Sequence, residues 1–254
     1  MKPERQRRKD NGEFALRKPL PQRYWQYGEK RPALYSALNG LTKALVVPLH
    51  SKYFVVDWQP STIVFSHSLA VIIQSENSVF ASLQNTFHEE WSRLLGSTLE
   101  TRMRYTPSDC FETFPFPMNS DGLDTIGRRY YAHRKALMRD RQEGLTKTYN
   151  RFHDPLEVAV DITTLRDLHV ETDYTVASAY GWDDLDLKHG FYETRQGMRY
   201  TIPEEARREI LGRLFALNHE RNKQEVALGL HAKNGKKPGK RGKTETTDQM
   251  TLTW

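Results

Sequence analysis

The sequence predicts an α+β chain: a small mixed β-sheet with a packed helix, followed by a helical C-terminal region. Three observations carry that expectation. Between Ala44 and Ile73, short apolar runs rich in Val, Ile and aromatic residues are bounded by Pro, Ser, His or Asn, as strands are. From Asn77 onward, apolar residues recur at three- and four-residue steps, as on helices with one buried face. Between the helices lies Arg104–Pro117, where Pro107, Pro115 and Pro117 rule out a long helix or a central strand. Its Phe111, Phe114 and Phe116 make it too apolar for a solvated linker.

The chain has 254 residues, enough for one or two domains with a sizeable core. Mean hydropathy is −0.74, and aromatics make up 11%, which argues against general disorder. The net charge of +6 permits nucleic-acid binding without requiring it. A single cysteine, Cys110, excludes an internal disulfide or a cysteine-rich zinc site, and it reads as buried and structural. No apolar run is long enough to cross a membrane, and the charged N-terminus lacks the apolar stretch of a secretory signal, so the cytoplasm is the expected location.

In order along the chain, residues 1–20 read as a basic flexible arm, either solvated or DNA-contacting. Seven Lys/Arg against three Asp/Glu in the first 18 residues leave it at +4. Pro32 can open a short helix that Gly40 closes. Strands are expected over Ala44–Val47, Tyr53–Trp58, Ile63–Phe65 and Leu69–Ile73, with Pro48 and Pro60 at ends or edges. One helix is expected from Ser78 to Leu95, capped by Asn77 and stopped by Gly96, burying Val79, Phe80, Leu83, Phe87, Trp91 and Leu94. The Phe/Pro run then acts as an extended clamp of Phe111, Phe114, Pro115, Phe116 and Pro117 between two bodies of structure. A helix over Asp124–Gln142 buries Ile126, Tyr130, His133 and Leu137, with Arg128, Arg129, Arg134 and other cations covering the rest. Asp154-Pro155-Leu156-Glu157 has the form of a capping box and predicts a helix running to Tyr180, closed by Gly181. A loop holds Gly190 and Gly197, and Thr201-Ile-Pro203-Glu204 opens a last helix with Ala206, Ile210, Leu214 and Leu217 inward. Residues 227–254, rich in Lys, Gly and Pro, read as a disordered basic tail.

No catalytic constellation is visible. The sequence lacks a Gly-x-Gly phosphate cradle, a Walker lysine, an Asn/Asp-Pro-Pro-Tyr/Phe motif and a second histidine after His88-Glu89-Glu90. His50 and His67 could join a metal site only through tertiary structure.

Several runs, in order, resemble one family. They are Trp25-Gln-Tyr27, Arg31-Pro-Ala-Leu-Tyr35, Ser51-Lys52, Phe87-His-Glu-Glu-Trp91 and the Phe/Pro run, then Leu145-Thr-Lys-Thr-Tyr149-Asn150, Ala179-Tyr-Gly-Trp182 and Leu217-Asn218-His-Glu-Arg221. Together they are similar to the target-recognition domain and C-terminal helical region of type IIG/IIL restriction–modification enzymes and related phage-defence adenine-specific DNA methyltransferases. The resemblance covers roughly residues 20–225. It implies a DNA target-recognition domain over 21–118 and a helical region over 119–226. It implies double-stranded DNA as partner and a methyltransferase catalytic core, in cis or in trans, that binds S-adenosylmethionine. The motifs for that cofactor are absent, so the chain alone is expected to bind none and to be non-catalytic.

A DNA reader needs cations for phosphates and forked or amide side chains for base edges. By residue type and expected loop placement, the DNA-binding candidates are Arg31, His50, Ser51, Lys52, Tyr53, Arg102, Arg104, Arg128 and Arg129; the resemblance assigns none of them. Two rivals remain: a non-catalytic protein-interaction module of a phage-defence complex, and a nuclease with a histidine-based site.

Overall fold

The computed structural model describes residues 2–18, 20–24, 31–99 and 102–230. The chain divides into two compact units, residues 1–40 and 41–254. In the first, a short helix α1 (Lys2–Arg5) precedes a turn at Gly12, whose φ of 80° suits glycine. There Lys9 N–H donates to Glu13 O (2.8 Å) and Arg8 lies over the Phe14 ring at 4.5 Å. Helix α2 (Pro32–Ala37) starts on Pro32, as expected, with Arg31 at φ 43° as its cap. Trp25 to Tyr27 fall outside the described residues, as does the expected tail beyond Leu230.

In the second unit the strands are β1 (Lys43–Pro48), β2 (His50–Ser51), β3 (Asp57–Pro60), β4 (Leu69–Ile72), β5 (Ser97–Leu99) and β6 (Arg102–Arg104). They form two sheets, ordered β3-β1-β4 and β2-β6-β5, and every pairing is antiparallel. The chain is thus α+β, but the expected single mixed sheet is two antiparallel ones. Tyr53–Val56 is buried as a strand would be, yet its backbone polar groups go to side chains instead of a ladder. Gln84 Oε1 accepts from Val56 N–H (2.7 Å), and Arg134 donates to Val56 O (2.7 Å). Ile63–Phe65 is irregular and follows a turn at Ser61–Thr62, with Val64 exposed.

The helix expected over Ser78–Leu95 is two helices, α3 (Asn77–Leu83) and α4 (Thr86–Leu95). Asn85 makes the break, in extended backbone. Its amide nitrogen donates to Ala81 O (2.7 Å) and its side-chain oxygen accepts from His88 N–H (3.0 Å), so one residue closes α3 and caps α4. The break rotates Leu94 out to 53% exposure, against the expected burial.

Next come α5 (Pro107–Cys110), α6 (Leu123–Arg141), α7 (Leu145–Phe152), α8 (Val160–Ala179), a hairpin of β7 (Gly190–Thr194) and β8 (Gly197–Thr201), and α9 (Glu204–Ala227). The hairpin replaces the expected loop. Asp154–Glu157 is a turn and not a helix start. Arg166 gathers the carbonyls of Arg151, Phe152, Asp154 and Glu157 at 2.8–3.0 Å, holding that stretch off the helical path. Arg134, expected on the solvated face of α6, is buried. A Cβ on Gly127 would meet Asn77 O at 2.2 Å, so glycine there lets α6 close on α3.

One hydrophobic core runs from Leu45 to Leu214 and draws on both sheets and on α3, α4, α6, α8 and α9. The Phe/Pro run crosses it. Phe111 and Phe114 are 6% and 4% exposed, while Phe116 is half-buried. The run is extended only after α5. From α4, Trp91 Nε1 donates to Thr113 Oγ1 (3.1 Å). From the far side, Asn218 Nδ2 donates to Thr113 O (2.6 Å), Arg221 to Phe116 O (2.6 Å) and the Tyr180 hydroxyl to Pro115 O (2.9 Å). At the start of α4, the buried Asp173 carboxylate accepts from Thr86 N–H (2.8 Å) and from His189 (2.7 Å), tying α8 to α4. Burial alone would raise that carboxyl, but the neighbouring His169, His189 and Thr86 outweigh it and hold it low.

Candidate nucleic-acid interface

The sheet β2-β6-β5 places the predicted residues. Met103 and Tyr105 are buried and Arg104 between them is exposed, the period-two alternation of a half-buried strand. His50 pairs directly with Arg104 and Ser51 with Met103. Residues opposite one another share a face, so His50 and Arg104 stand together on the solvent side. Neither side chain makes a hydrogen bond or ion pair with another described residue, which leaves an imidazole and a forked guanidinium open to an external partner.

The other candidates are differently placed. Lys52 is exposed, but its ammonium donates to Asn150 Oδ1 (3.0 Å). Tyr53 is not on a surface loop: it is 5% exposed, its hydroxyl donates to Asn150 Oδ1 (2.6 Å), and its ring stacks on His153 at 5.1 Å. Arg128 pairs with Asp124 (2.9 Å) and Arg129 with Glu171 on the exposed flank of α6 and α8, each with a counter-ion. Arg102 lies in β6, and its side chain is outside the described residues. Arg31 lies in the first unit.

A cavity of about 750 Å³ that the sequence did not indicate lies among α4, α7, the β7–β8 hairpin and the start of α9. Its lining brings together Tyr53, Glu90, Arg93, His153, Arg199 and Arg207. Arg93 pairs with Glu89 at 2.6 Å and Arg207 approaches Glu90 at 3.6 Å. Burial, helped by the charge of Glu89, pushes the Glu90 carboxyl up to about 7, against the opposing pull of Arg207. Burial and then the charge of Arg199 push His153 well below the ordinary imidazole range. Its Nδ1 accepts from Tyr200 N–H (3.2 Å), consistent with a neutral ring. The local signal nearest this cavity was the pair Gly190, which opens the hairpin, and Gly197, at its turn. Among the described residues no group of three or more His, Cys, Asp or Glu is arranged to hold a metal.

Glu90 gives a pH-dependent expectation. Its folded value of about 7 lies above the ordinary 4.5, so between these limits the folded chain keeps a proton that the unfolded chain has released. Stability therefore falls as pH rises through that window. Glu90→Gln is expected to raise stability by about 2–3 kcal/mol at pH 8 and to change it little at pH 4.5. Thermal melts of both forms across that range check this, and an increment that is constant with pH would refute it.

Residues 15–118 match the family described as "MmeI, target recognition domain". This stretch is similar to the target recognition domain of MmeI. β1 to β6, the His50–Arg104 face and the Phe/Pro run all lie inside the matched segment, which ends one residue after Pro117. The downstream runs of the sequence resemblance, from Leu145 to Arg221, lie beyond it. No curated protein matches the chain. Among solved structures, the Type IIL restriction-modification enzyme MmeI in complex with DNA is similar at 20% identity and a TM-score of 0.49. That likeness covers 72% of this chain and 22% of the enzyme, so the chain spans well under a third of its length. No helix among the described residues is long and apolar enough to cross a membrane.

Proposed function

We propose that the chain reads a DNA sequence on behalf of an adenine-specific, S-adenosylmethionine-dependent methyltransferase of the restriction–modification and phage-defence kind. The methyltransferase core acts in cis or in trans. The observation that carries this reading is the match of residues 15–118 to a target recognition domain. The paired, open His50 and Arg104 are the side chains best placed to touch the duplex, with the exposed Lys52 close in sequence, while Ser51, opposite the buried Met103, is on the other face. The division of labour follows from chemistry. The reading half holds the duplex, while the catalytic core extrudes the adenine and carries the methyl donor. In this reading the chain itself binds no S-adenosylmethionine.

The test is fluorescence anisotropy with a duplex pool of randomised sequence at 50, 100 and 200 mM salt. Affinity is expected to fall steeply with salt as condensed counterions are released. Arg104→Ala is expected to flatten the slope by about one unit if Arg104 meets a phosphate. If it meets a base, the loss is ~1–3 kcal/mol and preference relaxes at one position of a selected site. Lys52→Ala should matter less, because Asn150 already holds its ammonium. A parallel titration with S-adenosylmethionine should be silent. Binding indifferent to salt and to Arg104→Ala would overturn the reading and favour a protein-docking module.

A further inference from the structure

The charges around the cavity do not balance locally. Arg199, in β8 opposite Tyr192, is 8% exposed, and its guanidinium carbon sits 4.8 Å from the centre of the Tyr53 ring. Its Nε is buried without a hydrogen-bond partner, and no carboxylate among the described residues pairs with it. The nearby acids are engaged elsewhere: Glu89 with Arg93, Glu90 with Arg207 and Glu204 with Arg208. Glu193 also lines the cavity but is exposed on the hairpin. A buried cation with an unfilled donor is unfavourable by itself, and such groups are normally paired. The side chain nevertheless lines an open space of about 750 Å³, room enough for a ligand of nucleotide size.

The chemistry of the walls narrows the partner. A guanidinium presents a rigid fork of donors that matches the oxygens of a phosphate. Beside it, His153, stacked on the buried Tyr53 at 5.1 Å, and Tyr200 are partly exposed rings on which a base or sugar can rest. We propose that Arg199 is an anion-binding residue of this cavity, which takes a phosphate group carried by a nucleotide or by a DNA strand. The site is separate from the His50–Arg104 face and does not rest on that face touching DNA. It draws on the target recognition domain through Tyr53 and α4, and on later residues through α7 and the hairpin.

The experiment follows the melting of the whole chain with inorganic phosphate or deoxyadenosine monophosphate, against sodium chloride at matched ionic strength. A ligand that binds only the folded chain raises its melting temperature. Phosphate and the nucleotide are expected to do so. Arg199→Gln is expected to weaken the apparent affinity at least tenfold, Arg199→Lys less. Arg139→Gln, at an exposed residue paired with Asp140 and outside the cavity, should leave it unchanged. Duplex titrations of the same variants identify the source. If Arg199→Gln also weakens duplex binding, the phosphate belongs to DNA; if only the nucleotide is lost, the ligand is free. Should Arg199→Gln fail to fold, Arg199→Lys and the unmodified chain still decide. No protection by phosphate or nucleotide, together with unchanged duplex binding in the Arg199 variants, overturns the proposal.

Discussion

Phe114→Ala is expected to destabilise the chain by ~3–5 kcal/mol, more than Phe111→Ala or Phe116→Ala. Phe114 is 4% exposed and packs edge-on to His88 at 4.5 Å, to Phe116 at 5.0 Å and to Trp91 at 6.1 Å. Burial pushes His88 down to about 3, so a neutral ring meets Phe114 at any working pH. Truncation leaves a void walled by rigid aromatic groups that collapse poorly. The run is held on both sides by side-chain donors to its backbone, so it cannot slide in to fill the gap. Phe116 also meets Phe111, at 5.3 Å, but it is half-buried and loses less. Since Phe114 and Phe116 touch, the double truncation should differ from the sum of the two single losses. Urea melts of the three single variants and the double variant measure this. A loss under ~1 kcal/mol for Phe114→Ala would show that the run is not part of the core.

Arg134→Ala is the second large effect, expected at ~3–5 kcal/mol, the range for breaking a buried charged pair. Arg134 is 1% exposed and donates to Val56 O (2.7 Å), Asp57 Oδ1 (3.0 Å), Gln84 Oε1 (3.1 Å) and the Tyr149 hydroxyl (3.3 Å). Its removal strands the buried Val56 carbonyl, takes the cation from the partly exposed Asp57 carboxylate and leaves Gln84 Oε1 with Val56 N–H alone. Arg134→Lys should recover only part, since an ammonium cannot span four acceptors set around a planar fork. Gln84→Leu added to Arg134→Ala should do less harm than in the parent, because the bond from Arg134 is already gone and only the one from Val56 N–H remains to be lost. Equal stability for Arg134→Ala and the parent would refute this role.

These two residues also show what the sequence could and could not disclose. The Phe/Pro run was legible because its composition conflicts with both solvent and regular structure. β1, α6, the stop at Gly181 and the start of α9 at Pro203 were legible because each rests on local spacing or a local turn preference. Arg134 was not. It sits in a run of cations, and only the tertiary approach of Val56, Asp57 and Gln84 decides that it goes inward. The break at Asn85 escaped for the same reason, since the apolar period runs on through it. Of the candidate site, the residue types at His50, Lys52 and Arg104 were legible. That His50 faces Arg104 follows from a strand pairing more than fifty residues apart along the chain, and β5 and β6 were not foreseen. Tyr53 looked like a surface reader because its hydroxyl and ring suit DNA; Asn150 and His153 claim both. The cavity is assembled from stretches far apart along the chain, around residues 53, 90, 150, 169 and 200, and no local pattern brings them together.

The ties across the Phe/Pro run bear on how such a domain can be exchanged between proteins. The matched segment stops at Met118, and an exchange by sequence would be cut there. Yet the carbonyls of Thr113, Pro115 and Phe116 receive their donors from Asn218, Tyr180 and Arg221, which lie on the other side of that cut. A transplanted reading domain thus arrives with three acceptors addressed to partners its new host must already possess. Hosts with an amide, a phenol and a guanidinium at those places would accept foreign specificities readily. Others would lack those donors, so what such a segment can be joined to is set in part by residues outside it.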